Sequence, residues 1–284
     1  MFGKIRGAGR RVSRYFAARS ARYLAGAAAV VLSVVVLVTP SAYVIEMPGP
    51  TQDVLGTVDS GTVIDVEGVD TYEDSGELLL VTVSAMGVSR YPLTNAQVLW
   101  GWLDPQITVL PREAVVPVGM TDEEYEEKNA ESMSSSQDAA VAAAKTYIAA
   151  HADELGVSPD VLDDATITMH VDDIGGPSAG MMYTLGLISK LTEADEAGGE
   201  IIAGTGTIDE SGEVGSIGGI RLKMLGAKRD GATWFLAPEA NCGSVVGHVP
   251  DGLRDVKVST LEEAYAALVA IGNGEGDDLP HCTA

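Results

Sequence analysis

From Tyr23 to Ile45 the chain runs "YLAGAAAVVLSVVVLVTPSAYVI", 23 residues without a charge. At 1.5 Å per residue a helix of that length spans a hydrocarbon layer of about 30 Å. The flank ahead of it is basic. Residues 1–22 hold Lys4, Arg6, Arg10, Arg11, Arg14, Arg19 and Arg22 and no acidic residue. This combination predicts an uncleaved transmembrane anchor over 23–45. The positive-inside rule then puts a basic tail, 1–22, in the cytoplasm and everything from residue 46 on the extracytoplasmic side of the cell membrane. A cleaved signal peptide is the rival reading. A cut after Ala42 would place Pro40 at the −3 position, which is a poor site. A buried core helix is the third reading, and the basic flank argues against it.

The seven basic residues of the tail mask how acidic the rest is. The whole chain carries 18 Lys and Arg against 41 Asp and Glu, so residues 23–284 keep 11 basic residues and a balance of −30. Phosphate would be repelled, and nucleic acid is not an expected partner. No CxxC, HExxH or GxxxxGK[ST] pattern occurs, so no metal, no cofactor and no ATP-driven motor is expected from these residues. The two cysteines, Cys242 and Cys282, lie in the part placed outside, where a disulfide persists. Their spacing does not settle whether they pair.

Beyond the anchor, "EMPGPTQDVLG" is a Pro/Gly-rich exit segment, and "GELLLVTVSAMG" (76–87) reads as a strand. Residues 88–130 combine Trp100, Trp102, the strand-like "QITVLP" and the acidic "TDEEYEEKNAE". They read as a surface insertion with two packing tryptophans, or as a membrane-facing or substrate-guiding flap. A helix is expected over 134–155, capped by serines and stopped by Gly156. "ATITMHV" (165–171) alternates as a strand does. Further strands are expected over 200–208 and 232–238. Helices are expected from Ser178 to Leu191, from Ile220 to Arg229 and over "TLEEAYAALVAI", with a loose tail after them. This order suggests one α+β or α/β unit. Five segments result: 1–22, the span 23–45, an extracytoplasmic part 46–130, a core 131–272 and a flexible tail 273–284.

The stretch "VDDIGGPSAGMMYTLGL" (171–187) places a lone serine at a Gly-Gly-Pro joint ahead of an apolar helix. The plain reading is that Ser178 caps or begins that helix. The chemical reading is a nucleophile beside unpaired backbone N–H groups that can stabilise an oxyanion. A serine needs a base. The histidines are His151, His170, His248 and His281, and only His170 precedes Ser178 closely. Lysine is the other option. At an ordinary pKa roughly one lysine in 2,500 is neutral at pH 7, so a lysine base has to be desolvated or set in a positive field. Lys223 meets that demand. It falls in the first turn of "IRLKMLGAK", shares a face with Ile220, Met224 and Ala227, and sits where a helix dipole disfavours a cation. The plain alternative is a lysine that snorkels to the surface.

"GGPSAG" followed by "AGTGTIDESGEVGSIGGIRLKMLGAKRDGATWFLAPEAN" resembles the proteolytic domain of the Lon family of serine–lysine peptidases. More narrowly, it resembles the membrane-anchored, ATPase-free Lon-like proteases that commonly carry a PDZ domain. The resemblance covers most of residues 23–271. It implies a Lon-type proteolytic domain of α+β class behind a single transmembrane helix. The implied activity is ATP-independent serine endopeptidase action on flexible or unfolded extracytoplasmic polypeptides, with a homo-oligomer, a hexamer in many relatives, as a further implication. Position by position it implies Ser178 as nucleophile, Lys223 as general base, Arg221 as the non-catalytic basic residue before it, and Thr205 as the hydroxyl that orients the lysine. Gly176 and the Ser178 amide fall where the family's oxyanion donors lie. Two departures stand out. The acidic residue that many full-length relatives have three positions before the serine is Gly175 here. Only about ten residues separate the alanine-rich helix from "ATITMHV", too few for a PDZ domain. A non-catalytic binding or scaffold protein on the same fold, and a serine–lysine signal peptidase, remain the competing readings.

Overall fold

The computed structural model describes residues 19–58, 61–88, 92–170 and 175–283. Most of the basic tail, the end of the strand-like stretch at 171, and residues 172–174 lie outside the described residues. The first element is helix α1 (Ala21–Val38), 18 residues of mean hydropathy 2.1 with no residue buried in the protein. It is long and apolar enough to cross a membrane, a property that a signal sequence shares. Its limits correct the span read at 23–45. Pro40 cannot continue a helix, and Tyr43 already opens strand β1 (Tyr43–Asp53), in which Val44 and Ile45 are buried.

Strands β2 (Thr57–Val58), β3 (Gly61–Thr62), β4 (Ile64–Glu67) and β5 (Glu77–Met86) follow. Next come helix α2 (Asn95–Gly101), strand β6 (Thr108–Pro111) and the short helix α3 (Arg112–Val115). The long helix α4 (Asp122–Leu155) leads to strand β7 (Thr166–Met169). A 3-10 turn (Pro177–Ala179) enters helix α5 (Gly180–Leu191). The chain closes with β8 (Ile201–Gly204), β9 (Thr207–Ile208), β10 (Val214–Gly215), helix α6 (Ile220–Arg229), β11 (Trp234–Pro238), the one-turn α7 (Cys242–Val245), β12 (Arg254–Val258) and helix α8 (Leu261–Gly272).

Six strands form one mixed sheet in the order β12-β11-β8-β5-β1-β6. The first four are mutually parallel, and β1 runs antiparallel between β5 and β6. The parallel strands are covered on both faces, which explains their unbroken apolar runs. Leu78 and Leu80 of β5, Ile202 of β8 and Leu236 of β11 face a core filled by α4, α5 and α8. Their neighbours Leu79, Val81, Ala203, Phe235 and Ala237 face a second core with Ile220, Met224 and Ala227 of α6. Each fully buried Leu, Met or Phe contributes about 1.5–3 kcal/mol relative to exposure, and α5, with Met181, Met182, Tyr183, Leu185, Leu187 and Ile188 all buried, is the central element.

Three expectations are corrected here. The helix read at 134–155 begins twelve residues earlier. Thr121 caps it, accepting from the Glu124 N–H while the Glu124 carboxylate accepts from the Thr121 N–H, a capping box that turns the acidic segment into helix. The boundary placed between 130 and 131 therefore falls inside α4. The 88–130 segment is no insertion, because β6 is an edge strand of the main sheet, and its tryptophans do not pack inward: Trp100 and Trp102 are exposed. Nor are residues 273–283 of the tail loose. Cys282 is bonded to Cys242, the Cys282 N–H donates to Asp255, the Lys257 N–H donates to the Pro280 carbonyl, and Arg254 pairs with Asp277.

The disulfide ties residues 40 positions apart, a loop whose closure is worth about 4 kcal/mol in the chain-entropy account. The double substitution Cys242→Ser with Cys282→Ser is expected to lower unfolding stability by about that amount. Denaturant titration of the oxidised protein and the double variant checks this, and coincident transitions would contradict it.

Candidate active site

Three separate segments converge at the C-terminal edge of β8. Ser178 sits at the centre of the 3-10 turn, Thr205 follows β8 directly, and Lys223 lies in the first turn of α6. Local backbone constraints build the meeting point. Gly176 has φ +91°, a region that side-chain-bearing residues rarely adopt. Pro177 then fixes the start of the turn. The Ser136 hydroxyl of α4 donates to the Pro177 carbonyl at 3.0 Å, and the Gly206 N–H donates to the Ser178 carbonyl at 2.9 Å. Gly219, with φ +68°, aims α6 at the site. A Cβ there would lie 2.7 Å from Val83 Cγ2.

The Lys223 Nζ is 2.7 Å from Ser178 Oγ and 2.9 Å from Thr205 Oγ1. Lys223 is 3% exposed and Thr205 is fully buried. Ile220, Met224 and Ala227, the face predicted for this lysine, are buried with it, whereas Arg221 is exposed. The lysine does not snorkel. Burial pulls its pKa down to about 7, because removal from solvent disfavours the charged form. The Thr205 hydroxyl donates to the Ser178 carbonyl at 3.0 Å. Its proton is thereby committed, so it can only accept from the amine. A neutral Nζ that donates to Thr205 turns its lone pair toward Ser178 Oγ, the orientation that accepts the hydroxyl proton.

The oxyanion expectation needs a correction. The Gly176 N–H donates to the Asn129 carbonyl of α4 at 3.0 Å and is not free for a substrate oxygen. The Ser178 N–H has no partner among the described residues; the first amides of a 3-10 turn have none within it. Gly175 also packs on Asn129, where a Cβ would approach Asn129 Cβ at 3.1 Å. A side chain at this position would sit tightly against Asn129 of α4. The histidine alternative has no support in the geometry. The backbone N–H of His170 donates to the Val63 carbonyl, and the His151 ring packs on Tyr147 and reaches Glu262. Neither bonds to Ser178.

Asn241, the last residue of "APEAN", has a supporting role. The Asn241 side chain accepts from the Ile217 N–H and donates to the Ile217 carbonyl, both at 2.9 Å, clamping the loop that enters α6. Its signal is the asparagine after Pro238, which sequence alone leaves without a partner.

The Lon protease (S16) C-terminal proteolytic domain matches residues 109–270, more than half of the chain. Lon protease of Porphyromonas gingivalis is 39% identical over 127 residues, 43% of this chain and 14% of that protein. Lon protease 1 of Sorangium cellulosum is 37% identical over 152 residues, 50% of this chain and 18% of that protein. Lon protease 1 of Bacillus subtilis is 35% identical over 128 residues, 43% and 16% of the two chains. The chain spans less than a fifth of the length of these curated relatives.

Proposed function

Because this chain belongs to the Lon protease (S16) family through its C-terminal proteolytic domain, we propose that it is a serine endopeptidase with Ser178 as nucleophile and Lys223 as general base. The observation that carries the reading is a buried lysine 2.7 Å from a serine hydroxyl, with no carboxylate partner among the described residues. Neutral Nζ takes the Ser178 proton as Oγ bonds to the scissile carbonyl carbon. The tetrahedral oxyanion lies against the Ser178 N–H. The lysine ammonium then hands its proton to the leaving amine as the C–N bond breaks. Water, deprotonated by the regenerated amine, hydrolyses the acyl-enzyme and restores Ser178. Thr205 holds the amine in register through both halves.

The substrates we propose are flexible or unfolded polypeptides, cleaved without ATP. Support comes from the absence of a GxxxxGK[ST] sequence in these 284 residues and from residues 156–165, which join α4 to β7 as turns and hold no PDZ domain. The chain, purified whole in detergent, is expected to digest an unfolded casein without nucleotide and to spare a tightly folded protein. A strict ATP requirement, or no digestion at all, would contradict this.

We further propose that α1 anchors the chain with its N-terminus in the cytoplasm, the arrangement favoured by seven basic residues before it. A reporter fused after Ala284 is expected to be active only in an extracytoplasmic assay. Activity in the cytoplasm would overturn the topology. Assembly into a homo-oligomer is proposed by family likeness alone.

A further inference from the structure

Five large apolar side chains cluster on one exposed face beside the end of α1. Leu99, Trp100, Trp102 and Leu103 lie on and just after α2, and Tyr43 meets Trp102 edge-on with ring centroids 5.7 Å apart. Trp100 is 68% exposed and Leu103 80%. The opposite face of α2 is the buried one. Val98 and Gly101 pack inward, and a Cβ on Gly101 would touch Ile45, Ile107 and Val109. Leu99 and Trp100 are therefore left outward by the helix geometry itself, and Leu103 in the turn that follows is exposed as well. An apolar patch of this kind on a folded surface marks an interaction site.

The patch is fastened to the apolar helix. Asn95, the first residue of α2, donates through its side chain to the Val36 carbonyl at 2.9 Å and to Thr39 Oγ1 at 3.2 Å. Its N–H donates to the Thr39 carbonyl, and the Ser41 N–H donates to the Leu93 carbonyl. Trp100 follows Asn95 by five residues, about 8 Å along a helix axis. From Pro92 to Leu103 no residue is charged.

We propose that this face, Tyr43 with Leu99, Trp100, Trp102 and Leu103, seats in the headgroup–acyl boundary of the bilayer that α1 crosses. The inference rests on the anchor reading. Indole and phenol rings, apolar in body and polar at one edge, concentrate at that depth. Asn95 ties the face to the last turn of the span, which is where the boundary falls. Attraction to anionic lipid is not the cause, because residues 23–284 carry a balance of −30; the seat is apolar and aromatic. The height of Ser178 above the membrane is then set by the fold and not by a tether.

The test uses the full chain carrying Trp234→Phe, reconstituted in phosphatidylcholine vesicles, so that emission comes from Trp100 and Trp102 alone. Lipids brominated at the upper acyl chain serve as quenchers, and resistance to alkaline carbonate extraction reports the anchor independently. The expected result is a chain retained after carbonate, with most of the tryptophan emission quenched and equal quenching when phosphatidylglycerol is added. Retention with unquenched emission overturns the proposal and leaves the anchor standing. Unquenched emission that shifts to the blue with protein density assigns the face to a second copy and also overturns it. Quenching that appears only with phosphatidylglycerol does the same. Extraction by carbonate overturns the anchor and the seat together.

Discussion

Ser178→Ala is expected to lower peptide turnover by at least about 10⁴-fold, the scale of losing a nucleophile in serine peptidases. Stability should fall by only about 1 kcal/mol, the net worth of one hydrogen bond. The plain alternative, a helix cap, forecasts a similar stability loss of about 1 kcal/mol but leaves hydrolysis intact. The geometry favours the first outcome, because the Ser178 side chain caps nothing. Ala179 holds the cap position of α5, and no side-chain cap bond is made there or at the 3-10 turn. The hydroxyl points instead at the Lys223 amine. Turnover of wild type and variant separates the two readings, and the thermal midpoint checks that the variant is folded.

Lys223→Arg is expected to abolish turnover although it keeps a positive charge, since guanidinium stays protonated and cannot take the serine proton. In the wild type, activity should rise with pH through about 7, where burial has set the lysine. The direction follows from the depressed pKa: below it the amine is charged and cannot act as a base, above it the amine is neutral. The same depression ties folding to pH. An unfolded lysine titrates near 10.4. Between about pH 7 and about pH 10 the unfolded chain therefore binds a proton that the folded chain has released, and stability rises with pH across that window. Below it both states are protonated and the slope vanishes. Lys223→Met should lose both the activity profile and that stability slope. Retained activity in Lys223→Arg would rule out the lysine as base.

Much of the site was legible because its elements are short-range. Gly-Gly-Pro before Ser178 announces a turn, and the 3.6-residue wheel puts Lys223 with Ile220, Met224 and Ala227. What the sequence could not display was contact across the fold. Asn129 lies 47 positions before Gly176, and its carbonyl takes the amide that the motif reserves for a substrate oxygen. The acidic segment 121–131 reads by composition as part of a surface insertion, yet a capping box and a run of good helix formers extend α4 through it. Absence of charge alone extends the apolar span past Pro40, where the helix has already ended at Val38. Residues 43–45 are equally uncharged, and β5 and β6 claim them as a strand. A terminal segment after the last helix is expected to be loose, and the bond to Cys242 decides otherwise.

The most direct measurement is the site and pH dependence of covalent labelling by a fluorophosphonate, followed by peptide mass spectrometry on the whole protein. The expected result is one adduct per chain, on Ser178, formed at a rate that rises through about pH 7, matching the lysine, and absent in Lys223→Arg. An adduct on another residue, no adduct at any pH, or labelling of Ser178 that proceeds unchanged in Lys223→Arg would contradict the serine–lysine dyad.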